Sequence, residues 1–146
     1  MGEKLNTHEN RNLGSFLNLI DIENLDAGTL EVLSEKALPE GHVDILIKEA
    51  TPIGRSKKII LEVKASKAQA KDVAQLEKYV NELGTECIAG ILISREFPKG
   101  VIKKIGRQDN NVLKLVTFNF NNYSPNECYT FEQLKEKLRL DTIKRL

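Results

Sequence analysis

"KKIILEVKASKAQAKDVAQLEKYV", Lys57 to Val80, changes its period halfway along. The first half, Ile59 to Ala65, is apolar and β-branched with a period of two, which predicts a strand. The second half places Val73, Leu76 and Val80 on one stripe that continues to Leu83, which predicts a helix. Ser66 and Gln69 read as a Ser-x-x-Gln capping box at its start, and Gly84 as the residue just past its end. Within the strand, Glu62 and Lys64 are separated by a single valine. Side chains alternate across a strand, so these two project from one face, about 6.5 Å apart, while Leu61 and Val63 point back into the core. The plain reading is an amphipathic strand with one wet face.

The flanking sequence predicts the elements on either side. "HVDILIK" (42–48) alternates Val43, Ile45 and Ile47 against Asp44, Leu46 and Lys48, a second strand. "ATPIGRS" (50–56) carries Pro52 and Gly54, so the two strands are expected to form an antiparallel hairpin. After the helix, "CIAGILIS" (87–94) is apolar throughout, as a central buried strand requires. Pro98 opens a short basic helix to about Arg107, and "VLKLVTFNF" (112–120) is a further strand with Val112, Leu115 and Phe118 or Phe120 toward the core. Thr130 and Gln133 form a second capping box, opening a last helix with Leu134, Leu138 and Ile143 inward. Thr7 precedes Leu13, Phe16, Leu17 and Ile20 at helical spacing, a first helix over 7–20 that Gly14 weakens. Residues 21–39 are mixed. The fold class is therefore α/β, a mixed β-sheet flanked by helices. One domain is expected over 1–146, with an N-terminal helix and lead-in (1–40), an α/β core (41–120) and a C-terminal helix (130–146).

A chain of 146 residues can bury roughly 70% of its unfolded surface. No run of about 18 apolar residues exists to span a membrane, and the polar start MGEKLNTHENRN does not read as a signal peptide. Cys87 and Cys128 fit no zinc spacing, so both thiols are expected to be structural in a soluble, cytoplasmic protein. The net charge of +1 hides an asymmetry. Residues 1–49 hold ten acids against four bases, and residues 50–114 hold thirteen bases against seven acids. A chain neutral in total can still present a basic face to a polyanion.

If the hairpin register allows, Asp44 shares a face with Glu62. Two converging carboxylates repel unless a cation lies between them, and hard oxygen ligands favour Mg²⁺ (or Mn²⁺). Lys64 beside them is suited to orienting a water or to stabilising charge that develops on a phosphate. Together Asp44, Glu62 and Lys64 are what metal-assisted phosphodiester hydrolysis needs.

Gly41-x-Val-Asp44-Ile-Leu, then Ile-Ile-Leu-Glu62-Val-Lys64, then Gln75-Leu-x-x-Tyr79 on the following helix resembles the PD-(D/E)xK nuclease superfamily. Within it, the pattern is similar to the RecB-like branch and the NucS-type endonuclease domain. The resemblance covers about Gly41 to Ser94, and Val43 stands where the name motif has proline. It implies a restriction-endonuclease-like fold and a Mg²⁺-dependent DNA nuclease. Asp44 and Glu62 would ligate the metal together with the Val63 carbonyl, Lys64 would be the catalytic lysine, and Gln75 would reach the site from its helix. A further acid often comes from the helix before the hairpin, with Glu9 as the candidate and Glu3 and Glu23 as competitors. For Tyr79, core packing competes with a place behind Gln75 at the DNA. Arg55, Lys57, Lys58, Lys67, Lys71 and Arg95 are expected at the phosphates.

No stretch interleaves aromatic with basic residues, so sequence-specific readout is not expected. These motifs do not separate DNA from RNA. A core this small commonly needs a second copy or an additional domain to choose its substrate. The competing readings are a catalytically silent nucleic-acid-binding or interaction module on the same fold, and an unrelated α/β domain whose Glu-x-Lys strand is accidental.

Overall fold

The computed structural model describes residues 3–4, 15–20, 22, 25, 29–38, 41–49, 57–106 and 112–143. Among the described residues, seven strands form one sheet whose spatial order follows the chain: β1 (Glu3–Lys4), β2 (Leu30–Leu38), β3 (Gly41–Glu49), β4 (Lys58–Lys67), β5 (Cys87–Glu96), β6 (Leu113–Phe120) and β7 (Leu138–Thr142). Strands β1 to β4 are antiparallel, β4, β5 and β6 are parallel, and β7 returns antiparallel to β6. Besides a helical segment α1 (residues 15–19), the described helices are α2 (Ala70–Leu83), α3 (Lys99–Gly106) and α4 (Phe131–Lys137). This is the expected mixed α/β sheet. Parallel neighbours need crossovers, and α2 and α3 supply them between β4 and β5 and between β5 and β6.

The two faces of the sheet carry separate cores. Leu46, Ile60, Leu92, Leu113 and Leu115 meet Val73, Leu76 and Tyr79 of α2 and Val101 and Ile105 of α3. Ile47, Ile59, Leu61, Ile91, Ile93 and Val116 line the other face with Leu17 and Ile20. This explains why "CIAGILIS" shows no alternation: β5 is covered on both sides. Gly90 is where α2 comes closest. A Cβ there would lie 2.5 Å from Val80 Cγ2 and 3.4 Å from Leu76 Cδ1. Among the described residues no helix is long and apolar enough to cross a membrane.

Two boundaries differ from the sequence reading. Helix α2 begins at Ala70, with Gln69 as its N-cap, so Ser66 does not cap it. The parallel ladder keeps Ser66 extended: Lys67 pairs with Glu96, and the Ala68 N–H donates to the Glu96 carbonyl at 3.0 Å. At the C-terminal end the Thr130–Gln133 box forms as expected. However, the helix stops at Lys137, and residues 138–142 add β7 to the sheet. The reason is the open edge of β6, whose backbone groups need partners. Pairing from Phe120↔Leu138 to Val116↔Thr142 supplies them. The mixed 21–39 region, whose "GTLEVLSEKAL" is compatible with a strand, a helical turn or both, yields the strand β2, which pairs with β3 along nearly its whole length. The part of the expected first helix before residue 15 lies outside the described residues.

Cys87 is buried, and burial pushes its thiol up to about 11, which leaves it inert. Cys128 is exposed.

Gly90→Ala is expected to cost about 1–3 kcal/mol, because β-branched Val80 has essentially one helical rotamer and cannot swing aside. Urea denaturation of the two proteins checks this through the shift in midpoint.

Candidate active site

The site forms where β3 and β4 stop pairing. Their antiparallel pairing runs from Lys48↔Lys58 to Ile45↔Leu61 and stops there. One step further, the same register sets Asp44 opposite Glu62. Strand alternation puts both on the α2 face, with Leu46 and Ile60. A regular ladder would continue with the Val63 N–H donating to a backbone carbonyl. It donates instead to Asp44 Oδ2, at 2.7 Å. A charged acceptor makes this bond a strong one, and it fixes the Asp44 carboxylate against the β4 backbone. The N–H and C=O of one strand residue point to the same edge, so the Val63 carbonyl opens toward the same side.

Glu62 is half-buried between these groups. Its Oε1 is shut off from solvent and, among the described residues, has no hydrogen-bond partner. Burial is the main cause that raises the Glu62 carboxyl from 4.5 to about 7, and the Asp44 charge adds to it. A backbone hydrogen bond from Asp44 and the Lys64 ammonium pull the other way. A partnerless buried carboxylate oxygen is costly, and here it faces a second carboxylate. The donors are hard oxygens, which fit a divalent cation of the Mg²⁺ or Mn²⁺ kind that keeps several of its waters. Among the described residues no third His, Cys, Asp or Glu side chain joins the pair. Glu9 and Glu23 lie outside the described residues, as does the side chain of Glu3.

Lys64 is the third member. Its Nζ lies 3.3 Å from Asp72 Oδ1 on the first turn of α2. Asp72 is only 8% exposed, and its other oxygen accepts the Gln69 N–H at 2.8 Å, closing the start of the helix. Just past Lys64 the β4–β5 register shifts, before pairing resumes at Lys67↔Glu96. Such irregularities re-aim side chains beside sites. Buried Ser94 clamps this one by donating its hydroxyl to the Ser66 carbonyl. The sequence reading missed both Asp72 and Ser94. The signal for Asp72 was present as a Gln69-x-x-Asp72 box three residues after the one chosen. Ser94 left no signal beyond ending an apolar run.

The remaining assignments divide. Gln75 is exposed one turn after Asp72 and donates from Nε2 to Tyr79 Oη at 2.9 Å. Tyr79 is 3% exposed and packs in the α2 core, so its ring cannot stack on DNA; it holds Gln75. Val63 is also a correction. It is 42% exposed, so Leu61 anchors the site from behind and Val63 does not. Lys67 and Lys71 are exposed at the site end of β4 and α2. Lys57 and Lys58 lie at the other end of β4, roughly 20 Å from Lys64 at strand rise, and Lys58 pairs with Glu86 Oε2 at 2.6 Å. The Arg95 guanidinium lies 6.0 Å over the Phe118 ring, on the α1 face and away from Glu62. Arg55 lies outside the described residues.

With this geometry in hand, residues 9–126 match the family model of the endonuclease NucS C-terminal domain. The endonuclease NucS of Methanocaldococcus jannaschii is 32% identical over 90 residues, which cover 59% of this chain and 32% of that protein. A repair endonuclease from Pyrococcus abyssi is similar in structure, with a TM-score of 0.48 and 22% identity, over 79% of this chain and 47% of that one. An EndoMS–dsDNA complex gives a TM-score of 0.46 and 24% identity, over 77% of this chain and 46% of its own. The chain thus spans about a third of the curated relative and under half of each structure.

Because the folded-state value of Glu62 lies above its ordinary one, the folded protein holds this proton more tightly than the unfolded chain. Stability contributed by protonation is therefore gained as pH falls from about 7 toward 4.5. Glu62→Gln should exceed the wild type in metal-free stability at pH 8, and the gap should close below pH 4.5, as read from denaturant midpoints across pH.

Proposed function

The chain belongs to the endonuclease NucS C-terminal domain family, and from that premise we propose that it is a metal-dependent nuclease domain that hydrolyses DNA phosphodiester bonds. The observation that carries this reading is the buried Glu62 oxygen, partnerless among the described residues, on a carboxyl that also feels the Asp44 charge, with the Lys64 ammonium on the same strand face. Asp44 and Glu62, with the Val63 carbonyl, would hold Mg²⁺ or Mn²⁺, which when bound supplies Lewis-acid polarisation and charge neutralisation. The unmet oxygen of Glu62 is the feature of this chain that supports such a ligand set.

The protein's own groups set the rest of the chemistry. Asp44, locked to the Val63 N–H, presents its carboxylate without having to reorganise. Lys64 stands beside the two carboxylates, where its ammonium can donate to a non-bridging phosphate oxygen as negative charge builds there. Gln75, steadied by Tyr79, offers amide groups from the α2 side to a water or a phosphate. Lys67 and Lys71 supply positive charge for the phosphates flanking the scissile one. In the reaction a water oxygen forms a new P–O bond as the P–O bond to the leaving sugar oxygen breaks. The products are a phosphomonoester and a free hydroxyl.

The test is to incubate linear, circular and branched DNA with the protein and Mg²⁺ or Mn²⁺, beside Glu62→Ala and Lys64→Ala. Wild type should cleave, and each variant should be slower by about two to three orders of magnitude, the scale of losing a main electrostatic stabiliser. DNA binding by all three proteins should weaken steeply with salt. A wild type as inert as its variants, yet still binding DNA, would make the chain a silent binding module.

A further inference from the structure

Lys64 has two sources of negative charge within reach. On its own strand lies the Glu62 carboxylate, which senses the ammonium; on α2 lies Asp72, 3.3 Å from Nζ. Left to the Asp44 and Glu62 carboxylates alone, a lysine two residues from one of them would fold back and neutralise them. Asp72 offers a partner on the other side. It is the one charged side chain among the buried residues of α2, and it is fixed by its second bond, to the Gln69 N–H at 2.8 Å. A carboxylate held at one oxygen by the backbone can direct an ammonium with the other, because its own rotamer is already spent.

The geometry points to Asp72 as a positioning residue: it draws the Lys64 ammonium toward α2 and off the Asp44–Glu62 pair, setting where that ammonium stands. The same carboxylate ties the first turn of α2 to the end of β4, so Gln75, three residues on and on the same side of the helix, is placed in register with Lys64. The catalytic consequence rests on the nuclease reading above; the positioning itself rests on the contacts of this chain.

The whole chain labelled with ¹⁵N-lysine tests this without DNA or metal. The Lys64 ammonium signal is assigned by its loss in Lys64→Arg. Asp72→Asn keeps an oxygen for the Gln69 N–H, so the helix start survives while the charge is lost. Should that change loosen α2, Gln69→Asp/Asp72→Asn restores a strong N-cap. The expected result is a shifted, faster-exchanging Lys64 signal in Asp72→Asn, now sensitive to Glu62→Gln, and recovery in Asp72→Glu. In cleavage assays kcat should fall about tenfold or more, as for a catalytic group displaced by a fraction of an ångström or more, with KM for DNA unchanged and partial rescue by Asp72→Glu. A Lys64 signal indifferent to Asp72→Asn overturns the positioning role, as does an unchanged kcat. A wild type inert on every DNA, with the Lys64 signal still tied to Asp72, overturns the nuclease reading and keeps the positioning.

Discussion

Strand β4 continues past the point where β3 stops pairing with it, and the backbone groups set free there need partners. Backbone N–H and C=O groups that lose a ladder partner take another, from side chains or water, and here side chains step in. The Val63 N–H donates to the Asp44 carboxylate, and on the β5 side, where the register shifts, the Ser66 carbonyl accepts the Ser94 hydroxyl. Because β4 is central, paired with β3 on one edge and β5 on the other, each of these substitutes is anchored in a rigid sheet. The polar end of the strand thus inherits its order from the apolar start, Ile59, Ile60 and Leu61, each nearly without exposed surface.

The charges at this end do not balance. Of the described side chains, Lys64 is the one whose ammonium contacts this group of carboxylates (Asp44, Glu62 and Asp72), and that ammonium leans to Asp72. Without a cation, the strain falls on Glu62, whose carboxyl takes up a proton near neutral pH. A divalent ion would offset this imbalance, which is the physical core of the proposed function. The positioning proposed for Asp72 gives it a purpose separate from capping α2, since it draws the lysine off the carboxylate pair.

Most of the architecture was legible in local patterns. The period-two run of 42–48, the apolar "CIAGILIS" and the stripe Val73, Leu76 and Val80 each name their element, since each describes a face that must be buried. The C-terminal segment was not legible. Leu134, Leu138 and Ile143 read as a helix stripe, but the open edge of β6 has more to offer residues 138–142 than one further helical turn, and that edge is a long-range fact. The start of α2 failed for a related reason. Ser66 looks like a cap in isolation, yet pairing with β5 keeps it in the strand.

At the site, local patterns carry the residue types and their shared face: Asp44, Glu62 and Lys64, with Gln75 and Tyr79 one helical turn apart. Alternation and helical spacing are properties of the chain, and they survive whatever surrounds them. What those groups do to each other depends on how the elements pack. That packing turned Asp44 onto the Val63 N–H, left one Glu62 oxygen unmet among the described residues, buried Tyr79 behind Gln75, and sent Lys58 and Arg95 to partners elsewhere. Asp72 shows the division most clearly: its box with Gln69 is local and could be read, but its contact with Lys64 exists only because the crossover brings the start of α2 back over the end of β4.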